Sequence, residues 1–92
     1  MILVRGDLQI PVIVDPKNDG ADVYIPDLEM TIHGSDFCDC LAKASLRASA
    51  IYYYNKERNI KVELTCTYED AQRVCTEKYD KDAFVTFVCL TT

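Results

Sequence analysis

Residues 24–46 read YIPDLEMTIHGSDFCDCLAKASL, and the order of signals in this stretch decides the fold. An apolar pair ends in Pro26-Asp27, a combination that stops a strand. A short alternating segment from Met30 to His33 follows, and Gly34 then precedes Asp36, a favourable helix N-cap. The stretch therefore predicts a strand, a turn, a second short strand and a helix in immediate succession.

The helix that begins after Asp36 is predicted to run to about Glu57. Asp39 lies at its third position, where a carboxylate favours the positive end of the helix dipole. Apolar residues recur at spacings of three and four, which is typical of an amphipathic helix packed on a sheet: Phe37, Cys40, Leu41, Ala44, Ala48, Ile51 and Tyr52.

Two more strands are predicted before this stretch. Residues 8–15 alternate around β-branched side chains, Pro16 to Gly20 forms a hairpin turn, and Ala21 to Ile25 alternates again. Pro11 cannot donate a ladder hydrogen bond, so we expect its strand to lie at an edge or to carry a bulge. Met1 to Arg5 either extends this strand or forms a separate arm.

The C-terminal part of the chain predicts a second helix and a last strand. Residues 62–66 fit either a strand or extended coil. Thr67, with Asp70 three residues later, indicates an N-cap before a helix over 68–79. Residues 83–90, AFVTFVCL, are apolar on both faces, so we expect this strand to be covered on both sides, either at the centre of the sheet or by a neighbouring subunit.

The fold class predicted from these elements is α+β. An antiparallel three-stranded meander is followed by a helix and a returning C-terminal strand, in two layers. The 92 residues fit a single domain spanning 1–92.

Composition restricts the partners. Ten basic and fifteen acidic side chains give a net charge of −5, which disfavours nucleic acid or an anionic membrane and favours a basic partner. The first residues lack a signal-peptide pattern, and no apolar run is long enough to span a membrane. We therefore expect a cytoplasmic protein.

The five cysteines do not form a metal-binding pattern. The only histidine is His33, and Cys38 and Cys40 of a helical C-D-C point in different directions. We expect reduced cysteines that fill apolar positions, with no metal and no cofactor.

This ordered set of features resembles the HicB-like antitoxin family across 8–90. In that family a strand–turn–strand unit ends in Pro-Asp, and a Gly-led helix entry, an Ala/Leu helix and a final strand follow. The sequence departs from the family at Leu28-Glu29, where members often have a Pro-Gly-like turn, and at Cys38 and Cys40, where many have Glu and Ala. The matching residues are Pro11, Asn18-Asp19-Gly20, Tyr24 to Leu28, Gly34 to Phe37, Cys40, Leu41, Ala44, Ala48 and the terminal DAFVTFVCL.

The resemblance implies a partial RNase H-like fold and a function as an antitoxin. Such a protein neutralises a small basic mRNA-cleaving toxin, like HicA, by covering its RNA-binding and catalytic surface. Many members continue into a DNA-binding module. None follows in this sequence, so we expect no direct contact with nucleic acid.

Candidate partner contacts are the acids at predicted strand ends and loops, together with one tyrosine of the run 52–54, since these three cannot all face one layer. The alternative is that the carboxylates only keep the protein soluble and that the tyrosine hydroxyls only reach water. The candidates are Asp15, Asp19, Asp22, Asp27, Glu29 and Tyr53.

Two other functions remain open at this point. The domain could bind a ligand or protein without any toxin, or it could be a metal-dependent nuclease that uses Asp15, Asp27 and Glu29. The nuclease is disfavoured because these acids lie in turns and His33 has no nucleophile beside it in sequence. We therefore predict that the chain is not an enzyme. We also expect a homodimer or higher homo-oligomer, since an uncovered apolar strand promotes aggregation.

Overall fold

The computed structural model describes residues 8–90, and the question of a strand within Met1–Asp7 falls outside them. The elements appear in the predicted order. Their bounds are β1 Leu8–Lys17, β2 Gly20–Ile25, β3 Met30–Gly34, α1 Phe37–Glu57, α2 Tyr68–Lys78 and β4 Phe84–Leu90. Residues 62–66, the ambiguous region of the sequence, contain no strand or helix.

The four strands form one antiparallel sheet in the order β3-β2-β1-β4. β1, β2 and β3 are a meander, and β4 returns to the free side of β1, with Ile10 opposite Val88. The predicted α+β fold is confirmed, with a meander, a following helix and a returning strand.

The main core lies between α1 and one face of the sheet. Alternate residues of the first two strands, among them Val12 and Val23, point to this face and are fully buried. α1 meets them with Cys40, Ala44 and Ala48, one residue per turn, all with no exposed surface. These small side chains let the helix axis approach the sheet closely, as the sequence pattern predicted.

α2 lies on the opposite face of the sheet. Ile13, which alternates with the α1-facing residues of β1, packs against Ala71 and Cys75 of α2. The sheet therefore has a helix on each side where the sequence predicted two layers. The difference arises because α2 needs a surface for its own apolar stripe, and α1 already occupies the first face.

The placement of two strands differs from the expectation. β1 is an inner strand rather than an edge strand, yet Pro11 is tolerated because the pairing of β1 with β2 starts only at Ile13. β4 lies at the edge rather than the centre. Its side chains are apolar on both faces because both helices contact it.

The helix ends follow the sequence signals. Asp36 accepts a hydrogen bond from the Asp39 amide at 2.8 Å, and Thr67 forms a reciprocal capping box with Asp70. At the C-terminus of α1, Asn59 has a φ of 60°, and the Ile60 amide donates to the Asn55 carbonyl at 2.8 Å. This is a Schellman ending with asparagine in the left-handed position.

Candidate functional site

A row of polar side chains crosses three strands on the sheet face that carries α2. Asp15 of β1 stands opposite Asp22 of β2, and Asp22 stands opposite His33 of β3. The Asp22 carboxylate and the Nδ1 atom of His33 are 2.6 Å apart. Hairpin register thus brings together two predicted contact acids, and gives the histidine a partner that its sequence neighbours do not reveal.

Two carboxylates directly opposite each other on a sheet repel, so the arrangement needs nearby positive charge. Lys17 supplies it, with its Nζ atom 3.0 Å from Asp15. The hydrogen bond from Lys17 to Asp15, and the charges of Asp15, Asp22 and Asp80, raise the pKa of Lys17 above its ordinary value. We call Asp15, Asp22 and Asp80 the acidic patch.

The other predicted acids do not all join this patch. Asp19 is exposed in the β1–β2 turn. Asp27 and Glu29 lie in the β2–β3 turn, at the far end of β2. Glu29 is exposed, with a φ of 50°.

Asp27 holds a distant part of its own chain. Its Oδ1 atom accepts hydrogen bonds from the amides of Thr65 and Cys66, both at 2.9 Å, while its Oδ2 atom is buried without a hydrogen-bond partner. This carboxylate is therefore committed to an intramolecular contact that sequence analysis missed.

The three tyrosines of the run 52–54 differ in their exposure, as expected for consecutive residues of a helix. Tyr52 and Tyr53 pack edge to face, 4.9 Å between ring centroids, beside the main core. The Tyr53 hydroxyl donates to the Leu90 carbonyl at 3.5 Å. Tyr54 is the exposed member, 59% accessible, with the Arg58 guanidinium over its ring. Of the three, Tyr54 has the free surface, whereas Tyr53 is half-buried.

The cysteines are all free. Burial is the main cause that raises the pKa of the thiols of Cys40, Cys66 and Cys75, so these three remain protonated at neutral pH. Cys40 and Cys75 are buried, as expected, whereas Cys38 is exposed, so the expectation that the cysteines fill apolar positions is wrong for Cys38.

Within residues 8–90, no group of three or more His, Cys, Asp or Glu side chains is arranged to hold a metal ion. In the same range, neither helix combines the length and the apolar character that crossing a bilayer demands.

Charge is distributed unevenly over the molecule. The acidic patch lies on the α2 side, whereas Lys43 and Arg47 project from α1. They line a groove of about 360 Å³ between α1 and β3, together with Leu46, which is 74% exposed. The acidic patch complements a basic partner, whereas Lys43 and Arg47 do not, and Lys43 is itself paired with Asp39 at 3.0 Å.

No protein-family model matches the sequence, and no curated protein matches it. The fold is similar to that of a chain in the solved toxin-antitoxin complex from Streptococcus pneumoniae. The TM-score is 0.70 at 16% sequence identity, and the match covers 92% of this chain and 69% of that chain. At this level of identity, the likeness establishes a shared fold.

Proposed function

We propose that this protein is a HicB-like antitoxin that binds a small basic mRNA-cleaving toxin of the HicA type and covers its RNA-binding surface. The observation that carries the proposal is the fold similarity, over 92% of the chain, to a protein solved in a toxin-antitoxin complex. The family resemblance of the sequence points to the same function independently of the coordinates. The proposal contains no catalytic step and places the protein in the cytoplasm.

Electrostatics supports this choice of partner. The net charge of −5 accelerates encounter with a cationic protein and competes with RNA for the same basic side chains. The acidic patch is the part of the surface best suited to the contact. Asp15 and Asp22 lie directly opposite each other, and a lysine or arginine of the toxin would add to the positive charge that Lys17 already places beside Asp15.

The test is binding to the short basic protein encoded by the neighbouring gene. We expect a stable complex, protection of RNA from that protein, and an association rate that falls as salt is raised. The double variant Asp15→Asn/Asp22→Asn should bind about tenfold more weakly at low salt, which corresponds to about 1.4 kcal/mol.

A matched control is Glu57→Gln/Glu63→Gln, which removes the same number of charges from exposed positions outside the patch. Equal weakening by both double variants would show that net charge, rather than the patch, drives association. No complex with the neighbouring protein, and no basic protein encoded nearby, would leave a binding domain without a toxin as the better description.

A further inference from the structure

The outer face of α2 carries a solvent-exposed groove. Its volume is about 380 Å³, and it runs between two rows of exposed side chains in which successive members are four residues apart. On a helix, a groove between two such rows is the surface into which a ridge of a second helix packs. The lining residues are Tyr68, Gln72 and Thr76 in the first row and Glu69, Arg73 and Glu77 in the second.

The first row is ordered by its own contacts. The Tyr68 hydroxyl donates to Oε1 of Gln72 at 3.3 Å, and Nε2 of Gln72 donates to the Thr76 hydroxyl at 3.4 Å. The Tyr68 ring also stacks on Phe87 of β4, with 6.0 Å between ring centroids. Tyr68 is 46% and Phe87 is 44% exposed, so the two rings present apolar surface beside the groove. A partner that binds here loses little entropy in ordering these side chains.

The second row leaves two carboxylates without a partner. Arg73 lies four residues from both Glu69 and Glu77, a spacing that allows ion pairs on a helix. It pairs instead with Asp70, at 3.2 Å between Nη2 and Oδ1. Among residues 8–90, neither glutamate has an ionic or hydrogen-bonded partner. The groove therefore carries two uncompensated negative charges, about 12 Å apart along the helix axis.

We propose that this groove binds a basic amphipathic helix of the toxin. An apolar side chain of that helix packs against the rings of Tyr68 and Phe87. A lysine or arginine lies opposite each of Glu69 and Glu77. This inference rests on the proposed function and extends the toxin contact from the acidic patch onto α2. The two surfaces are continuous, because Asp80 of the acidic patch follows Glu77 by three residues.

Charge distinguishes this groove from the one between α1 and β3. The α1 groove is lined by Lys43 and Arg47. Lys43 is paired with Asp39, and Arg47 presents a positive charge that repels a basic helix. The α2 groove has the opposite character, since the uncompensated charges of Glu69 and Glu77 attract cations. A basic partner steered by the net charge of −5 therefore docks on the α2 side.

The first test measures the affinity for the neighbouring basic protein at low salt. Glu69→Gln/Glu77→Gln should weaken binding about fivefold, because two exposed ion pairs of modest strength are lost. Glu57→Gln/Glu63→Gln removes the same charge from exposed positions outside the groove and should change the affinity less than about twofold. A complex that is equally tight with and without the groove carboxylates, or equally weakened by both double variants, would overturn the proposal.

The apolar contact has its own variant. Phe87→Ala should weaken the complex about tenfold, as truncation of an aromatic anchor does. Leu46→Ala, at a residue of α1 that is 74% exposed, should leave the affinity unchanged. Circular dichroism checks that each variant folds, and if Phe87→Ala does not, the glutamate variants at exposed positions still decide. A folded Phe87→Ala that binds as tightly as the parent would remove the rings from the contact and overturn this part of the proposal.

A second experiment separates this inference from the proposed function. An amphipathic peptide of leucine and lysine stands in for the basic helix, and amide chemical shifts of the isotope-labelled protein report where it binds. We expect shift changes in residues 68–80, and none with a matched peptide of leucine and glutamate. No shift changes, changes confined to α1, or equal changes with both peptides would overturn the proposal.

The two experiments together tell the two failures apart. If the neighbouring protein forms a complex that the groove variants do not weaken, the antitoxin function stands and the groove is not its contact. If the lysine peptide binds residues 68–80 but the neighbouring protein forms no complex, the toxin assignment fails and the groove remains a site for a basic helix.

Discussion

The carboxylate of Asp27 holds the backbone amide of Cys66, 39 residues further along the chain, at 2.9 Å. This contact joins the β2–β3 turn to the segment that leads into α2. The segment has no ladder or helix of its own, so this bond and the stacking of Tyr68 on Phe87 help to fix the start of α2 on its face of the sheet. A residue that sequence analysis assigned to partner binding thus contributes to positioning the second helix.

We expect Asp27→Ala to lower the free energy of unfolding by about 2 kcal/mol, because two amides lose a charged acceptor. Urea denaturation measures the change. The control is Glu63→Ala, which removes an exposed carboxylate from the same segment and should change stability by less than about 0.5 kcal/mol. Unchanged stability of Asp27→Ala together with lost toxin binding would return Asp27 to the interface.

Gly34 should not tolerate a side chain. A Cβ atom there would lie 2.5 Å from both the Cα and the backbone nitrogen of Cys40, and neither can move without shifting α1. We expect Gly34→Ala to destabilise the protein by about 2 kcal/mol or more, as overpacking against a rigid backbone does. Thr31→Ala, on the exposed face of the same strand, serves as the control in thermal unfolding. A melting temperature equal to that of the control would contradict the close approach of β3 and α1.

Substitutions of Asn59 test the conformation in which α1 ends. Its φ of 60° suits asparagine and glycine but strains other residues. We expect Asn59→Ala to cost about 1 kcal/mol and Asn59→Gly to change stability by less than about 0.5 kcal/mol. Chemical denaturation of the two variants gives the comparison. A more stable Asn59→Ala would mean that α1 continues past Arg58.

Low pH should reduce the stability of the N-termini of both helices. The amide of Ser35 and the side chain of Lys43 lower the pKa of Asp39, and the amide and hydroxyl of Thr67 do so for Asp70. Because the folded pKa is depressed, the stabilisation is present above the ordinary value of 3.8 and is lost as pH falls through the lower folded pKa.

The double variant Asp39→Asn/Asp70→Asn should therefore be less stable than the parent near neutral pH, and the difference should shrink as the pH falls below the ordinary value of 3.8. Urea midpoints measured across the acid range test this. A constant difference at every pH would assign the stabilisation to the neutral hydrogen bonds rather than to the ionised carboxylates.

The local signals in the sequence were sufficient for the order of elements. Proline, glycine and N-cap residues act on their immediate neighbours, so the turn at Pro26 and the helix start at Asp36 follow from short-range chemistry. The periodicity of α1 identified the face with Ala44 and Ala48 for the same reason, since an apolar stripe needs only the helical repeat.

Tertiary structure alone decided which distant groups meet. The row from Asp15 through Asp22 to His33 depends on register between strands, and the bond from Asp27 to Cys66 closes a long loop. No local pattern in the sequence encodes either contact, because many residues of the chain carry groups that could pair with these carboxylates. The same holds for the face of the sheet on which α2 packs and for the edge position of β4. Both depend on which apolar surfaces the other elements leave uncovered, and therefore on the packing of the whole chain.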